Sequence, residues 1–217
     1  MNGKQVRVLI ADDQDVVRAG LKALFESTSD LKVVGEASDG ASAVALAAAL
    51  CPDVVVMDVR MPILDGIHAT AQIASPTRVL VLTTFEIDNY VYGALRAGAS
   101  GFLLKTAPAE ELIEAVRLIA DGNDLLAAVK TAEVIAKFAT RDPVATQRMA
   151  SLTAREREVL ALMGSGANNQ EIARALVIGE ETVRTHVKRV FAKLGFRDRA
   201  QAVVFAYEAG IVGTATS

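Results

Sequence analysis

The sequence predicts two domains: an α/β domain with a doubly wound, five-stranded parallel sheet, and an all-helical domain that follows it. The chain has 217 residues, more than one average domain holds. Its first half alternates short apolar runs with helical patterns, the order that a parallel sheet covered on both faces requires. After Leu152 only helical patterns remain. With 52% hydrophobic and 23% charged residues, the composition excludes a disordered chain.

Five strands and five helices are predicted in the first domain. The strands are continuous runs rich in Val and Leu: Val6–Ala11, Leu31–Ala37, Asp53–Met57, Arg78–Leu82 and Gly101–Leu104. The helices between and after them are Asp15–Glu26, Gly40–Leu50, Gly66–Ala74, Asp88–Ala97 and Pro108–Asp121. In the last helix, Leu112, Val116 and Ile119 recur at the spacing of one helix face.

The periodicity changes after Gly122, where we place the end of the first domain (residues 1–122). One helix is predicted at Val129–Ala139, and the polar stretch Thr140–Ser151 then indicates a linker. We therefore expect a linker with a short helix over residues 123–150 and a second domain over 151–217.

The second domain is predicted to hold four helices. Thr153 and Glu156 form the pattern of a capping box at the start of the first helix, and Asn168 and Glu171 repeat it at the second. Gly195 is placed to end the third helix. The four helices are Ala154–Met163, Asn169–Ala175, Glu180–Leu194 and Arg199–Ala209.

We expect a soluble protein of the cytoplasm. The alanine-rich stretch Ala41–Cys51 is too short to span a bilayer, and Met1–Asp13 lacks the long apolar core of a signal peptide. The single cysteine, Cys51, cannot form an internal disulfide, which fits a reducing compartment.

The net charge of -3 is unevenly distributed. Residues 1–125 carry 10 Lys and Arg against 17 Asp and Glu, whereas residues 151–217 carry 9 against 7. A polyanionic partner is therefore expected at the C-terminal domain. An excess this small is equally typical of an ordinary solvated surface.

Charged and polar side chains follow the predicted strands at the ends where ligands bind in open α/β sheets. Asp12 and Asp13 follow the first strand, and Asp58, Thr83 and Lys105 follow the third, fourth and fifth. Converging carboxylates repel one another, and a hard divalent cation such as Mg²⁺ relieves that repulsion. An ammonium and a hydroxyl suit the oxygens of a phosphoryl group, and a carboxylate nucleophile gives an aspartyl phosphate. The alternative is that these aspartates only cap helices and that the lysine is solvated.

The helix at Glu180–Leu194 has an apolar stripe and a polar, basic side. A short helix, a turn and this longer helix describe a helix-turn-helix, whose second helix enters the major groove of DNA. The alternative is an ordinary amphipathic surface helix. The polar side carries Thr182, Arg184, Thr185, Lys188 and Arg189.

Four motifs of the first domain resemble the signatures of a CheY-like receiver domain. They are Ile10-Ala-Asp-Asp13, Met57-Asp-Val-Arg-Met-Pro-Ile-Leu-Asp-Gly66, Thr83-Thr84 and Gly101-Phe-Leu-Leu-Lys105, and the resemblance runs over residues 4–122. It implies that Asp58 is the phosphoacceptor. It further implies that Asp13, Asp58 and the backbone carbonyl of Arg60 hold Mg²⁺, with Asp12 assisting through water. Thr83 and Phe102 match the hydroxyl and aromatic switch positions.

The second domain resembles the LuxR-type helix-turn-helix, and with a receiver this is the layout of NarL/FixJ-type response regulators. The motifs are Leu152-Thr-Ala-Arg-Glu-Arg-Glu-Val-Leu160, Asn169-Gln-Glu-Ile-Ala173, Thr182-Val-Arg-Thr-His-Val-Lys188 and Lys193-Leu-Gly195. The resemblance implies that Arg184, Thr185 and Lys188 read bases and that Thr182 and Arg189 lie nearer phosphates. Gly179 and Asn168 depart from the family, which usually has Ser at both positions.

The resemblance implies a bacterial transcription factor controlled by phosphorylation. A sensor histidine kinase would phosphorylate Asp58, and the protein would bind paired half-sites of promoter DNA as a homodimer. The last helix, which carries Ala202, Val203, Phe205 and Ala206, is expected to contribute to that dimer. We also expect slow self-dephosphorylation, with Phe85 shielding the phosphoryl group more than Arg60 assists its loss.

The sequence is also compatible with two alternative functions. An enzyme, a phosphatase or phosphotransferase, would use the same acidic site, but no insertion for binding a substrate is visible and such an enzyme would not need the tail. We therefore expect no enzyme beyond Mg²⁺-dependent self-phosphorylation and self-dephosphorylation. The second alternative is a regulator that works unphosphorylated, against which the complete acidic set argues.

Overall fold

The chain folds into two compact units, Met1–Leu125 and Leu126–Ser217. The computed structural model describes residues 5–73, 76–83, 88–121 and 139–212. Among these residues, no helix combines the length and apolar character needed to cross a membrane.

The first unit is built on five parallel strands in the order β2-β1-β3-β4-β5. The strands are β1 (Val6–Ala11), β2 (Leu31–Ala37), β3 (Val54–Asp58), β4 (Arg78–Thr83) and β5 (Gly101–Leu104). The helices are α1 (Asp15–Glu26), α2 (Gly40–Leu50), α3 (Gly66–Gln72), α4 (Asp88–Arg96) and α5 (Ala109–Ala120). This order confirms the predicted doubly wound α/β fold.

Alternate strand residues pack on opposite faces of the sheet. Leu9 and Val55 join residues of α2, α3 and α4 in one buried cluster. Val8 and Val54 join residues of α1 and α5 in the other. Fully burying such a side chain contributes about 1.5–3 kcal/mol. The continuous apolar runs of the sequence are therefore explained by burial on both faces.

The second unit is helical, as predicted. Its helices are α6 (Pro143–Arg148), α7 (Ala154–Gly164), α8 (Asn169–Leu176), α9 (Glu180–Leu194) and α10 (Arg199–Glu208). Both predicted capping boxes are present, at Thr153 and at Asn168. Gly195 ends α9 with a φ of 69°, a left-handed conformation that glycine adopts without strain.

Helix α6 lies in the polar stretch that the sequence indicated as a linker. The Asp142 side chain caps it by accepting a hydrogen bond from the Val144 amide at 2.8 Å, and Pro143 occupies the first turn. Ala145 packs in the core of the second unit, and the Asp142 amide donates to the Glu208 carbonyl at 2.8 Å. Residues 142–149 thus belong to the second unit. The helix predicted over 129–139 lies, except for its last residue, outside the described residues.

The apolar residues of α10, the helix expected to contribute to a dimer, are buried. Ala202, Phe205 and Ala206 belong to the core of the second unit, and the Phe205 ring meets the Phe196 ring edge-on at 5.2 Å. Val203 is also buried. These three side chains therefore stabilise the core of the second unit. The contribution of α10 to a dimer stays a prediction.

Candidate functional site

Four neighbouring strands carry the predicted acidic site to one edge of the sheet. Asp12 follows β1, Asp58 ends β3, Thr83 ends β4 and Lys105 follows β5. Because these strands are parallel and adjacent, their carboxyl ends lie together. The Asp12, Asp58 and Thr83 residues are all buried.

Lys105 joins two of the carboxylates. Its Nζ lies 2.5 Å from Asp12 Oδ2 and 3.1 Å from Asp58 Oδ1, and its side chain is only 11% exposed. The Lys105 amide donates to the Thr83 carbonyl at 2.8 Å, which continues the pairing of β5 with β4 past the strand end. The ammonium is therefore fixed between Asp12 and Asp58.

Asp12 is held through its carboxylate and its backbone carbonyl. Oδ1 accepts a hydrogen bond from the Gln14 amide at 2.9 Å, and the backbone carbonyl accepts one from Arg18 Nη1 at 2.7 Å. Oδ2 is buried and has the Lys105 ammonium beside it, yet no hydrogen bond of ordinary geometry reaches it. The charge of the ammonium compensates the burial of this oxygen.

Asp58 lies in a partly desolvated position. Burial raises the pKa of its carboxyl above the ordinary value, the Lys105 ammonium opposes that rise, and the charge of Asp12 adds to it. Oδ1 also accepts a hydrogen bond from the Val59 amide at 2.9 Å. The contacts from Lys105 and from the Val59 amide thus reach the same oxygen.

Oxygens of Asp12, Asp13 and Asp58 lie within 4.8 Å of one another. Asp13 is exposed whereas the other two are buried, so the cluster opens to solvent on one side. A set of carboxylate oxygens with access to water fits Mg²⁺, which keeps several waters when it binds to proteins. Arg60, whose carbonyl is expected to join the set, lies exposed in the loop after β3.

The loop between β3 and α3 depends on Gly66. Its amide donates to the Val59 carbonyl at 2.9 Å, and a Cβ at this position would lie 1.9 Å from the Asp58 carbonyl oxygen. Only glycine fits so close to the backbone of Asp58. Asp65 caps α3 by accepting a hydrogen bond from the His68 amide at 2.9 Å. Asp65 and Gly66 thus shape the loop that follows Asp58.

Of the residues next to the switch threonine and at the aromatic switch position, the structure describes Phe102. Phe102 is half-buried and packs against the cluster that contains residues of α2, α3 and α4. Thr84 and Phe85, which follow β4, lie outside the described residues. The expectation that Phe85 shields the site therefore stays a prediction.

Arg18 is a contributor that sequence reasoning missed. Its side chain reaches the Asp12 carbonyl from α1 and pairs with Asp15. Asp15 and Arg18 stand three residues apart on a helix, a spacing that indicates an ion pair. A contact to a backbone carbonyl, however, leaves no pattern of residue types.

The second unit presents α9 as an exposed helix on a packed support. Val183, Val190 and Leu194 are buried in the core with residues of α7 and α8. The five residues expected to contact DNA are all exposed: Thr182, Arg184, Thr185, Lys188 and Arg189. The structure thus places them on one accessible side of the helix.

Two of these residues have partners on α9 itself. The Arg184 guanidinium lies 2.9 Å from Glu180 and 3.4 Å from Glu181, and all three side chains are largely exposed. The Thr185 hydroxyl donates to the Glu181 carbonyl at 3.0 Å. Exposed ion pairs of this kind are weak, so they leave Arg184 available to a nucleic acid.

Comparison with known proteins agrees with this geometry. Residues 8–117 match the response regulator receiver domain, and residues 150–206 match the bacterial regulatory proteins of the luxR family. The chain is a response regulator. As a member of this family it is a regulator of transcription in two-component signalling and not a classical enzyme.

Relatives of this response regulator share its full length. It is 43% identical to the transcriptional regulatory protein YxjL of Bacillus subtilis over 98% of this chain and 100% of the relative. It is 41% identical to the transcriptional regulatory protein LiaR of the same organism, over 95% and 99%. The receiver domain of a putative response regulator NarL from Mycobacterium tuberculosis has a TM-score of 0.54 and 41% identity, over 55% of this chain and 98% of that domain.

Proposed function

We propose that this response regulator is switched by phosphorylation of Asp58 and that the phosphorylated form binds promoter DNA as a dimer. The observation that carries the proposal is the cluster at the sheet edge, where Lys105 bridges Asp12 and Asp58 beside the exposed Asp13. Receiver domains generally bind Mg²⁺ at such an acidic pocket, and a receiver implies a sensor kinase as its partner. We place the protein in the cytoplasm, where that DNA lies.

The chemistry that the site supports is nucleophilic attack by the Asp58 carboxylate on phosphorus. A phosphohistidine of the sensor kinase supplies the phosphoryl group: the O–P bond forms, the P–N bond breaks, and the departing imidazole takes up a proton. Since Lys105 and the Val59 amide both contact Oδ1, we assign the attack to Oδ2. Lys105 then stabilises charge on the phosphoryl oxygens, and the Thr83 hydroxyl binds one of them.

We expect Asp13, Asp58 and the Arg60 carbonyl to hold Mg²⁺, with Asp12 acting through water. When bound, the ion neutralises charge that develops on the transferring group. The carboxylate oxygens of Asp12, Asp13 and Asp58, which lie within 4.8 Å of one another, support a cation at this place. Self-phosphorylation by small phosphodonors and slow self-dephosphorylation are the activities that we expect of the receiver.

Mass spectrometry after incubation with acetyl phosphate and Mg²⁺ tests the assignment. We expect one added phosphoryl group on the wild type and none on Asp58→Asn. Asp65→Asn is a matched control at the far end of the same loop, where asparagine caps a helix about as well as aspartate, and it should be labelled like the wild type. Undiminished labelling of Asp58→Asn would overturn the assignment.

A further inference from the structure

Arg18 connects α1 to the end of β1, although the phosphoryl chemistry does not use it directly. Its Nη1 donates a 2.7 Å hydrogen bond to the Asp12 carbonyl, and its other terminal nitrogen pairs with Asp15. The Arg18 side chain is only 14% exposed, whereas that of Asp15 is 90% exposed. The guanidinium therefore lies beneath the loop that carries Asp12 and Asp13, with its partner on the outside.

The carbonyl that Arg18 holds belongs to the peptide that joins Asp12 to Asp13. The Asp12 amide is fixed as well, because it donates to the Ala37 carbonyl at 3.1 Å. With Gln14 on Oδ1 and Lys105 beside Oδ2, Asp12 cannot turn. The orientation of the following residue is thereby set through the backbone.

Asp13 depends on that backbone. Within the described part of the chain, no hydrogen bond or ion pair holds its carboxylate, and the residue is exposed. The direction of its side chain toward Asp58 is thus determined by the peptide that precedes it. A metal ligand with no partner of its own needs such support from the residues behind it.

The charge of Arg18 does not compete with a cation for the same oxygens. Its guanidinium contacts a carbonyl of the loop and not the carboxylate oxygens of Asp12 or Asp58. The Asp15 carboxylate balances its positive charge at close range. The pair therefore fixes geometry while it adds little net charge near the site.

We propose that Arg18 is a positioning residue of the divalent-cation site, which holds the Asp12–Asp13 peptide so that Asp13 faces Asp58. This inference rests on the proposed metal site. Removal of a group that orients a metal ligand typically weakens metal binding about 10–100-fold. We expect a loss of that size for Arg18→Ala and for Arg18→Gln, whose amide is too short to reach the carbonyl. Arg18→Lys should recover part of the affinity, because its ammonium can still donate to the Asp12 carbonyl.

Calorimetric titration of the full chain with Mg²⁺, without any phosphodonor, tests the proposal. The matched control is Arg117→Ala. Arg117 lies on the last turn of α5 and donates two hydrogen bonds to the Asp30 carboxylate, which this substitution removes. It should lower the thermal unfolding temperature and leave the Mg²⁺ affinity within about twofold of the wild type, since Arg117 holds no residue of the site. A role in stability alone would make the Arg18 and Arg117 variants behave alike.

The outcomes separate this inference from the proposed function. If the wild type does not bind Mg²⁺, the proposed metal site is wrong and the inference falls with it. If the wild type binds Mg²⁺ and Arg18→Ala binds it equally well, the metal site stands and the positioning role is overturned. Should Arg18→Ala fail to fold, Arg18→Gln decides in the same way: weaker binding supports the role, and unchanged binding overturns it.

Discussion

At the scale of single residues, Glu156 of α7 is a carboxylate kept ionised inside the second unit. It is 3% exposed, lies 2.6 Å from the Lys193 ammonium and accepts a hydrogen bond from the Thr153 amide at 2.8 Å. The hydrogen bond from Lys193, followed by that from Thr153, lowers the pKa of Glu156 to about 2. The same carboxylate closes the capping box of α7 and ties it to the last turn of α9.

Glu156→Gln should destabilise the second unit by about 1–3 kcal/mol near neutral pH, because Lys193 loses its buried anionic partner. Since the folded state lowers the pKa of Glu156, its stabilisation is complete above pH 4.5 and is lost as the pH falls from 4.5 toward 2. The difference in unfolding free energy between wild type and variant should therefore shrink in that interval. Urea unfolding of the fragment 139–217 at several pH values measures it.

Glu158→Gln is the matched control for that experiment. Glu158 lies on the same helix, but its side chain is 52% exposed and its pair with Arg155 is open to water. Exposed pairs contribute about 0–1 kcal/mol. Equal losses for Glu156→Gln and Glu158→Gln would contradict the special role of the buried carboxylate.

At the scale of elements, α9 is the helix on which DNA recognition depends. Arg184→Ala and Lys188→Ala should each cost about 1–3 kcal/mol of binding free energy at a specific site if they contact bases. The loss on random DNA should be smaller. Fluorescence anisotropy with both kinds of duplex measures the two losses for the full chain.

The exposed Arg174 on α8 supplies the control for that comparison. A contact to phosphate contributes alike on every sequence, so Arg174→Ala should reduce binding to both duplexes by the same factor or leave both unchanged. If Lys188→Ala and Arg184→Ala also weaken both duplexes equally, these residues contact phosphates and not bases.

The sequence predicted strands and helices correctly where the apolar residues had a clear period and where capping residues marked the ends of helices. Val8 and Leu9 are neighbours in β1 but belong to different buried clusters, one on each face of the sheet. Because both faces are buried, these strands appear in the sequence as apolar runs without a polar face. Helix α6 was not predicted, although an Asp at the N-cap followed by Pro in the first turn, here Asp142 and Pro143, is typical of the start of a helix. Its six residues are too few to show a period, and only Ala145 is buried.

The candidate site was predictable to the level of residue types at strand ends. Asp12, Asp58 and Lys105 meet because parallel strands bring their carboxyl ends together, a rule that needs no coordinates. The support by Arg18 was not predictable, because a side chain that donates to a carbonyl depends on the path of the backbone. The close approach of Gly66 to Asp58 likewise appears only once the loop is folded.

In the full chain, we expect a change at Asp58 to alter the affinity of the second unit for DNA. Coupling between two sites amounts to about 1–3 kcal/mol in typical allosteric proteins, which corresponds to about 5–150-fold in affinity. Membership of the response regulator family and the residues described above support a phosphorylation site in the first unit and a DNA-binding helix in the second. The coupling free energy between the two sites is therefore measured on the full chain.

The decisive measurement is the DNA affinity of the full chain with and without beryllofluoride and Mg²⁺, for wild type and Asp58→Asn. The DNA duplex for this measurement is chosen from genomic fragments that are enriched by binding to the protein fragment 139–217. We predict that beryllofluoride tightens binding by the wild type about 5–150-fold and leaves Asp58→Asn unchanged. Equal affinity of the wild type under both conditions, or the same tightening in Asp58→Asn, would contradict control of DNA binding through Asp58.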